Sequence, residues 1–275
     1  MPIIGPPLYL DRPVYQYHYE SLRWFDHWLK GVDTGIMDEP PIQLFIQNTG
    51  EWKAAQEWPL PETKWTEFYL HKGALLSEHE LWPDETASTF TDSPQERGSV
   101  TFVTPPLVEN TEVCGPMVLN LYASTTDTEA LWFVNFLEID ESGSERVLTR
   151  GWLRGSQRRI DPEKSRPWQP YHPHDKREPL SPGQVYEFKI EVIPTGILFK
   201  AGSRFGVRIK CADKDDKPRD FLDLHGLGHL WRDNPAQVTV YHSNQYPSHL
   251  LVPITKGNRI GTFMSGGVLK PPPAH

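Results

Sequence analysis

Cysteine is almost missing from this chain: Cys114 and Cys211 are the only two in 275 residues. Two cannot build a disulfide framework, and their apolar neighbours suit buried free thiols, with a single bridge as the alternative. No run approaches the ~18 apolar residues that cross a bilayer. The start, Met1-Pro2-Ile3-Ile4-Gly5-Pro6-Pro7, lacks the basic and apolar regions of a signal peptide, and no Asn-x-Ser/Thr sequon occurs. These absences predict an intracellular, cytoplasmic protein with no membrane partner. Positive charge is also short: 28 Lys and Arg against 36 Asp and Glu give a net charge of −8. Arg158, Arg159, Lys164 and Arg166 make a loose basic loop rather than a stripe, so nucleic acid is not expected as a partner.

Motifs of catalysis are missing as well. An α/β-type serine hydrolase exposes its nucleophile on a strained Gly-x-Ser-x-Gly elbow. The nearest strings, Gly202-Ser203-Arg204-Phe205-Gly206 and Gly151-Trp152-Leu153-Arg154-Gly155-Ser156, have the wrong spacing. There is no phosphate loop and no dinucleotide fingerprint. His172, His174 and Asp175 are of metal-ligating type, but Pro173 and the charged surroundings read equally as a solvated turn. Asp213, Asp215 and Asp216 could face a hard cation, yet Lys214 and Lys217 interleave them and favour a solvated loop. His225 and His229 stand four apart, but Gly226 and Gly228 spoil a rigid helical pair. No residue is therefore assigned a catalytic, cofactor-binding or metal-binding role, and no cofactor is expected.

What the chain has is aromatic rings, at 12% with ten tryptophans, and 27 prolines. Large rings filling the space between sheets and prolines stiffening the connections suit a loop-rich β-sandwich. One helix stands ahead of it. Leu22, Phe25 and Leu29 fall on one face, which His18 extends, and His18 is expected to pack there. Asp11 and Pro13 mark the entry, and Lys30 and Gly31 the exit, of a helix from about Pro13 to Lys30. A connector from Val32 to Pro41 follows. Strands are then predicted at Ile42–Ile46, Trp65–Leu70, Val118–Ala123, Leu131–Ile139, Arg146–Leu153, Val185–Val192, Ile197–Phe199, Phe205–Cys211, Val238–Tyr241 and His249–Ile254. The second and third of the middle group form a hairpin across Asp140, Ser142 and Gly143. Trp52, Trp58 and Pro61 read as an aromatic loop, Ser77 to Gly98 as a surface excursion, and Gln157 to Pro182 as a charged, proline-rich loop. Pro271-Pro272-Pro273 closes the chain. About ten short strands with one helix predict an all-β fold of two packed antiparallel sheets.

Arg23-Trp24-Phe25-Asp26-His27-Trp28-Leu29-Lys30-Gly31, continuing to Glu39-Pro40-Pro41-Ile42, resembles the CocE/NonD hydrolases, which include cocaine-esterase-like acylases and X-Pro dipeptidyl-peptidases. Further matching stretches follow in order: Glu57-Trp58-Pro59-Leu60-Pro61 with Phe68-Tyr69-Leu70, Val113 to Leu121 with Gly115-Pro116, and Leu148 to Arg158 with Gly151, Leu153 and Arg154. Pro182-Gly183, Phe199 to Arg204, and Pro247-Ser248-His249-Leu250 to Pro253 complete the resemblance. It implies that residues 1–40 are the end of an α/β-hydrolase domain, with its last helix and linker. Residues 41–275 would be a C-terminal jelly-roll β-sandwich of galactose-binding-like type. In the family a serine, an aspartate and a histidine sit on the hydrolase domain. The first two would precede Met1, and Leu8 or Tyr9 stands near the histidine's place. Tyr9 cannot act as a neutral-pH base, with an ordinary pKa of about 10. Gly202-Ser203-Arg204 also replaces a family Gly-His-Arg.

The resemblance thus implies the C-terminal domain of a peptidase or acyl-ester hydrolase, itself without a nucleophile. Its expected partners are an α/β-hydrolase domain, in cis or as a separate chain, and a second copy in a homo-oligomer. The alternative is a free-standing carbohydrate- or ligand-binding sandwich with Trp52, Trp58 and Trp82 as its stacking platform.

Overall fold

A computed structural model describes residues 14–80, 85–93, 96–212 and 234–257, with side chains from residue 18, and the backbone of residues 263–264 and 267–268. One helix, α1 (Val14–Lys30), precedes strands β1 (Ile42–Ile46), β2 (Glu51–Ala55), β3 (Lys64–His71), β4 (Leu75–Ser77), β5 (Ala87–Asp92), β6 (Ser99–Val103) and β7 (Thr111–Thr125). After these come β8 (Leu131–Ile139), β9 (Glu145–Arg154), β10 (Tyr186–Phe199), β11 (Arg204–Lys210), β12 (Ala236–Tyr241) and β13 (His249–Lys256), then the small pair β14 (Phe263–Met264) and β15 (Gly267–Val268). The fold is all-β with a single leading helix, as the residue pattern predicts.

Two antiparallel stacks carry the architecture. One runs β10-β7-β13-β3-β4, the other β9-β8-β11-β6, while β12 and β5 extend the first stack beyond the end of β13. The stacks are not separate sheets. At one seam Val192 of β10 pairs with Gly151 of β9, and at the other Leu75 of β4 pairs in parallel with Val103 of β6. Hydrogen bonding therefore closes nine strands into a flattened, barrel-like ring. A register shift in β10 between Val192 and Thr195 lies beside the first seam, and such an irregularity bends a strand out of its plane. A Cβ on Gly151 would strike the carbonyl oxygen of Glu191, so only glycine lets the two stacks approach there.

Alternation along the strands fills the ring. Phe68 and Leu70 from β3, Trp132, Val134 and Phe136 from β8, Phe205, Val207 and Ile209 from β11, and Leu250, Val252 and Ile254 from β13 all point into one core. Phe205 sits at its centre, with ring centroids 4.9 Å from Phe68, 5.5 Å from Phe199 and 5.7 Å from Phe136. A second, smaller core lies outside the ring. The β1–β2 hairpin lays Ile42, Leu44 and Ile46 over Cys114 of β7 and Leu198 of β10, with Leu60 and Trp58 closing it. So β7 is buried on both faces. Gly115 reflects this crowding, with φ +154° and room for a Cβ only 2.8 Å from the Cβ of Pro253.

Several expectations need correction. Trp52 lies on a strand, β2, not in an aromatic loop, because the hairpin with β1 recruits a stretch whose own pattern carries no alternation. The stretch from Ser77 to Gly98 contains β5, held against β12 by six residue pairs, with Phe90 and Asp92 buried. The strands predicted at Val185–Val192 and Ile197–Phe199 are one strand, β10, continuous through the register shift. The strand at Val118–Ala123 is the middle of a much longer β7.

Candidate functional site

The helical junction is built around Arg23. Its guanidinium reaches Glu20 at 2.9 Å, Glu39 at 2.5 Å and the carbonyl of Thr34 at 3.2 Å, while Glu39 also accepts from Gln43 at 3.1 Å. The Glu39 hydrogen bond is the main cause of the guanidinium's raised pKa. This clamp folds the connector back on the helix and ties both to the start of β1. Lys30 pairs with Asp26 one turn earlier, at 2.6 Å. The opposite face of the helix is left open. Leu22, Phe25 and Leu29 are 53%, 54% and 78% exposed, and Tyr19, Trp24 and Trp28 add exposed rings beside them. His18 is exposed too, rather than buried on that face as expected.

Inside the ring's end, Ser88, His242, Glu85 and His71 form a chain that resembles a serine–histidine–carboxylate relay. Ser88 Oγ lies 3.0 Å from His242 Nε2, His242 Nδ1 lies 3.7 Å from Glu85, and Glu85 accepts from His71 Nδ1 at 2.9 Å and from the Lys72 amide at 3.1 Å. Geometry alone does not make it a nucleophile. Ser88 shares the inward side of β5 with Phe90 and Asp92, while Thr89 takes the outward side, and Phe102 covers the His242 ring edge-on at 5.8 Å. His242 and His71 are each 1% exposed and Glu85 8%. The cluster's evident work is to bind β5 and the segment before it to β3 and the end of β12.

That burial has a pH signature. Desolvation holds the His242 imidazole below its ordinary value, and the charge of Glu85 restores only part of it. The unfolded chain takes up this proton near pH 6.5 while the folded chain resists it, so stability is full above that pH and declines below it. In urea unfolding at pH 7.5 and 5.5, His242→Gln should show a smaller acid loss than the parent. An equal loss in both proteins would remove His242 from the account.

The loop from Gln157 to Pro182 folds over the outer face of the β3–β13–β7 stack. Its root is Glu129, 8% exposed, which accepts from Ser156 Oγ at 2.6 Å, the Ser156 amide at 2.9 Å, Arg154 at 2.8 Å and Arg177 at 3.3 Å. Burial pushes this carboxyl up, but the Ser156 and Arg154 hydrogen bonds outweigh it and leave it below the usual range. Further along, Trp168 stacks on Trp65 of β3, centroids 5.1 Å apart and planes 12° from parallel. Beside this pair opens a groove of about 620 Å³, lined by Trp65, Thr66, Glu67, Tyr69, Glu78, Glu80, Pro167, Trp168 and Leu251.

The residues singled out in the sequence fall elsewhere. His172 turns Nδ1 to the carbonyl of Arg159 at 3.0 Å and Nε2 to that of Lys189 at 2.9 Å, so it pins the loop, and Asp175 pairs with Arg159. Among the described residues no group of His, Cys, Asp and Glu is placed to hold a metal ion. Asp213, Asp215, Asp216, His225 and His229 lie outside the described residues, as do Leu8, Tyr9, Asp11, Pro13, Trp82 and the proline tail. Trp58 packs on the outer core and Trp52 against Phe45 at 5.4 Å, so these two belong to the β1–β2 cover. Cys114 and Cys211 are both buried and form no disulfide, and burial pushes the Cys114 thiol up to about 12.

The class these features define is an all-β domain entered through one clamped helix. Residues 34–251 match the family described as the X-Pro dipeptidyl-peptidase C-terminal non-catalytic domain, and the chain belongs to that family. It is 29% identical to a putative serine esterase of Mycobacterium bovis over 91% of this chain and 43% of that protein. Cocaine esterase of a Rhodococcus species is 22% identical over 85% of this chain and 45% of its own length. A crystal structure of a CocE/NonD family hydrolase from Staphylococcus aureus superposes with a TM-score of 0.70 at 26% identity, covering 88% of this chain and 46% of that one. The chain thus spans under half the length of these relatives, and the resemblance to CocE/NonD hydrolases read from its motifs is borne out.

Proposed function

We propose that the chain serves as the non-catalytic C-terminal domain of a CocE/NonD-type serine hydrolase, docked on an α/β-hydrolase domain and supplying no nucleophile of its own. The single observation that carries this reading is the bare apolar face of α1. Six large apolar side chains on one short helix are held in a fixed pose by the Arg23–Glu39 clamp, yet stay 41–78% exposed beside the described residues of the domain that follows. Burying each would contribute roughly 1.5–3 kcal/mol, a strong incentive for a partner surface. The reading takes residues 1–40 as the end of the hydrolase domain and residues 41–275 as the β domain, with the flattened ring as a jelly roll. A reducing, cytoplasmic setting suits two cysteines that form no disulfide. A homo-oligomer, formed through the β domain, is part of the same reading.

The test uses the 275-residue chain with a fluorophosphonate probe, a p-nitrophenyl ester and an X-Pro anilide. No labelling and no turnover above buffer are expected. Labelling that disappears in Ser88→Ala would overturn the proposal and turn the buried relay into an active site.

A further inference from the structure

The groove beside Trp65 and Trp168 is unexplained by docking through α1. Its construction is specific. Residues 65, 67 and 69 alternate outward from β3 while Phe68 and Leu70 point into the core, so Trp65, Glu67 and Tyr69 line up on the outer face. Leu251 of β13, opposite Glu67 in register, forms the floor. Glu78 and Glu80 follow β4 on one side, and Pro167 and Trp168 come from the Glu129-rooted loop on the other. The volume, about 620 Å³, is within the usual range for small-ligand sites.

The lining has a one-sided chemistry. Among the described residues that line the space are three carboxylates and three aromatic rings, and no lysine or arginine. Glu67 is half exposed and accepts the Tyr69 hydroxyl at 2.5 Å. His249 stands 3.8 Å from Glu67, but its Nδ1–H donates to the Pro247 carbonyl at 2.8 Å and its Nε2 accepts from the Asn120 amide at 3.0 Å. The Tyr69 phenol is pushed up to about 12, first by its hydrogen bond to Glu67, then by burial and by the charges of Glu67 and Glu80. Negative potential thus reaches the aromatic wall.

We propose that this groove binds a small organic cation, an ammonium group carried on an apolar body. The ring faces and edges of Trp65, Trp168 and Tyr69 attract the cation and its apolar part, and Glu67, Glu78 and Glu80 supply the balancing charge. A neutral sugar could donate its hydroxyls to these carboxylates but would leave their charge unbalanced, which a cation does not. A metal ion is a poorer match again, since the carboxylates do not converge on one point.

Benzyltrimethylammonium chloride is the probe, titrated into the 275-residue chain at low salt and followed by tryptophan fluorescence and amide chemical shifts. Saturable millimolar binding is expected, with shifts confined to β3, the turn after β4 and the loop around Trp168. Benzyl alcohol, of similar shape without the charge, should bind at least about tenfold more weakly. Trp168→Ala should weaken the cation by roughly the same factor. Should Trp168→Ala disturb the loop, the combined Glu78→Gln and Glu80→Gln variant at the exposed rim carries the same expectation. No saturation, equal binding of benzyl alcohol, binding unchanged in both variants, or preference for a neutral oligosaccharide would each overturn the proposal.

Discussion

Phe205→Ala will lower the stability of the domain by about 3–5 kcal/mol, because it deletes the ring on which three other phenylalanines converge. The residue is fully buried at the centre of the ring-shaped sheet, and its neighbours come from β3, β8 and β10, so no single strand can shift to fill the space. A domain of this size loses roughly 2–4 °C in melting temperature per kcal/mol, giving an expected drop of about 6–20 °C. Trp152→Ala is the control: an aromatic ring of greater area, but more than half exposed on β9, expected to cost about 0.5 kcal/mol or less. Similar melting temperatures for the two variants would mean that the core is not organised around Phe205.

The second large effect concerns association rather than folding. Changing Leu22, Phe25 and Leu29 together to aspartate should leave the melting temperature of the chain nearly unchanged, since none is buried. The same change should weaken docking of a separately supplied α/β-hydrolase domain by at least about a hundredfold, on the loss of three burials worth roughly 1.5–3 kcal/mol each. Arg23→Ala tests the pose instead of the surface. It frees Glu39 and Thr34 and should weaken docking while the apolar face stays intact. Docking that ignores the triple aspartate change would place the interface elsewhere on the domain.

Much of the fold is legible in the residues because the ring buries one side of most long strands, β7 excepted. Phe68 and Leu70, or Leu250, Val252 and Ile254, print their inward side directly as alternation. The helix is legible for the same reason in reverse, since its apolar stripe is intact even though it stays exposed among the described residues. What escapes notice is structure recruited by a neighbour. Residues 51–55 become a strand because β1 pairs with them, and residues 87–92 because β12 does, although Ala-Ser-Thr-Phe-Thr-Asp has only Phe90 to announce a buried side. The groove was invisible for a similar reason. Trp65 and Trp168 belong to segments separated by most of the chain's middle, and only the fold of the Glu129-anchored loop stacks them. Trp52 and Trp58 carry the stronger local aromatic signal, but their rings are spent on the outer cover.

The position of β13 has a consequence for how the chain reaches this state. It lies between β3 and β7, hydrogen-bonded to both, yet it comes more than a hundred residues after either in chain order. Until residues 249–256 emerge, two strands made far earlier must wait with facing edges unpaired. Open edges of that kind are templates for wrong partners. Between the synthesis of β7 and that of β13 the growing chain therefore carries a slot in its main sheet. Stop codons or frameshifts just before residue 249 would accordingly be felt as aggregation of everything already made.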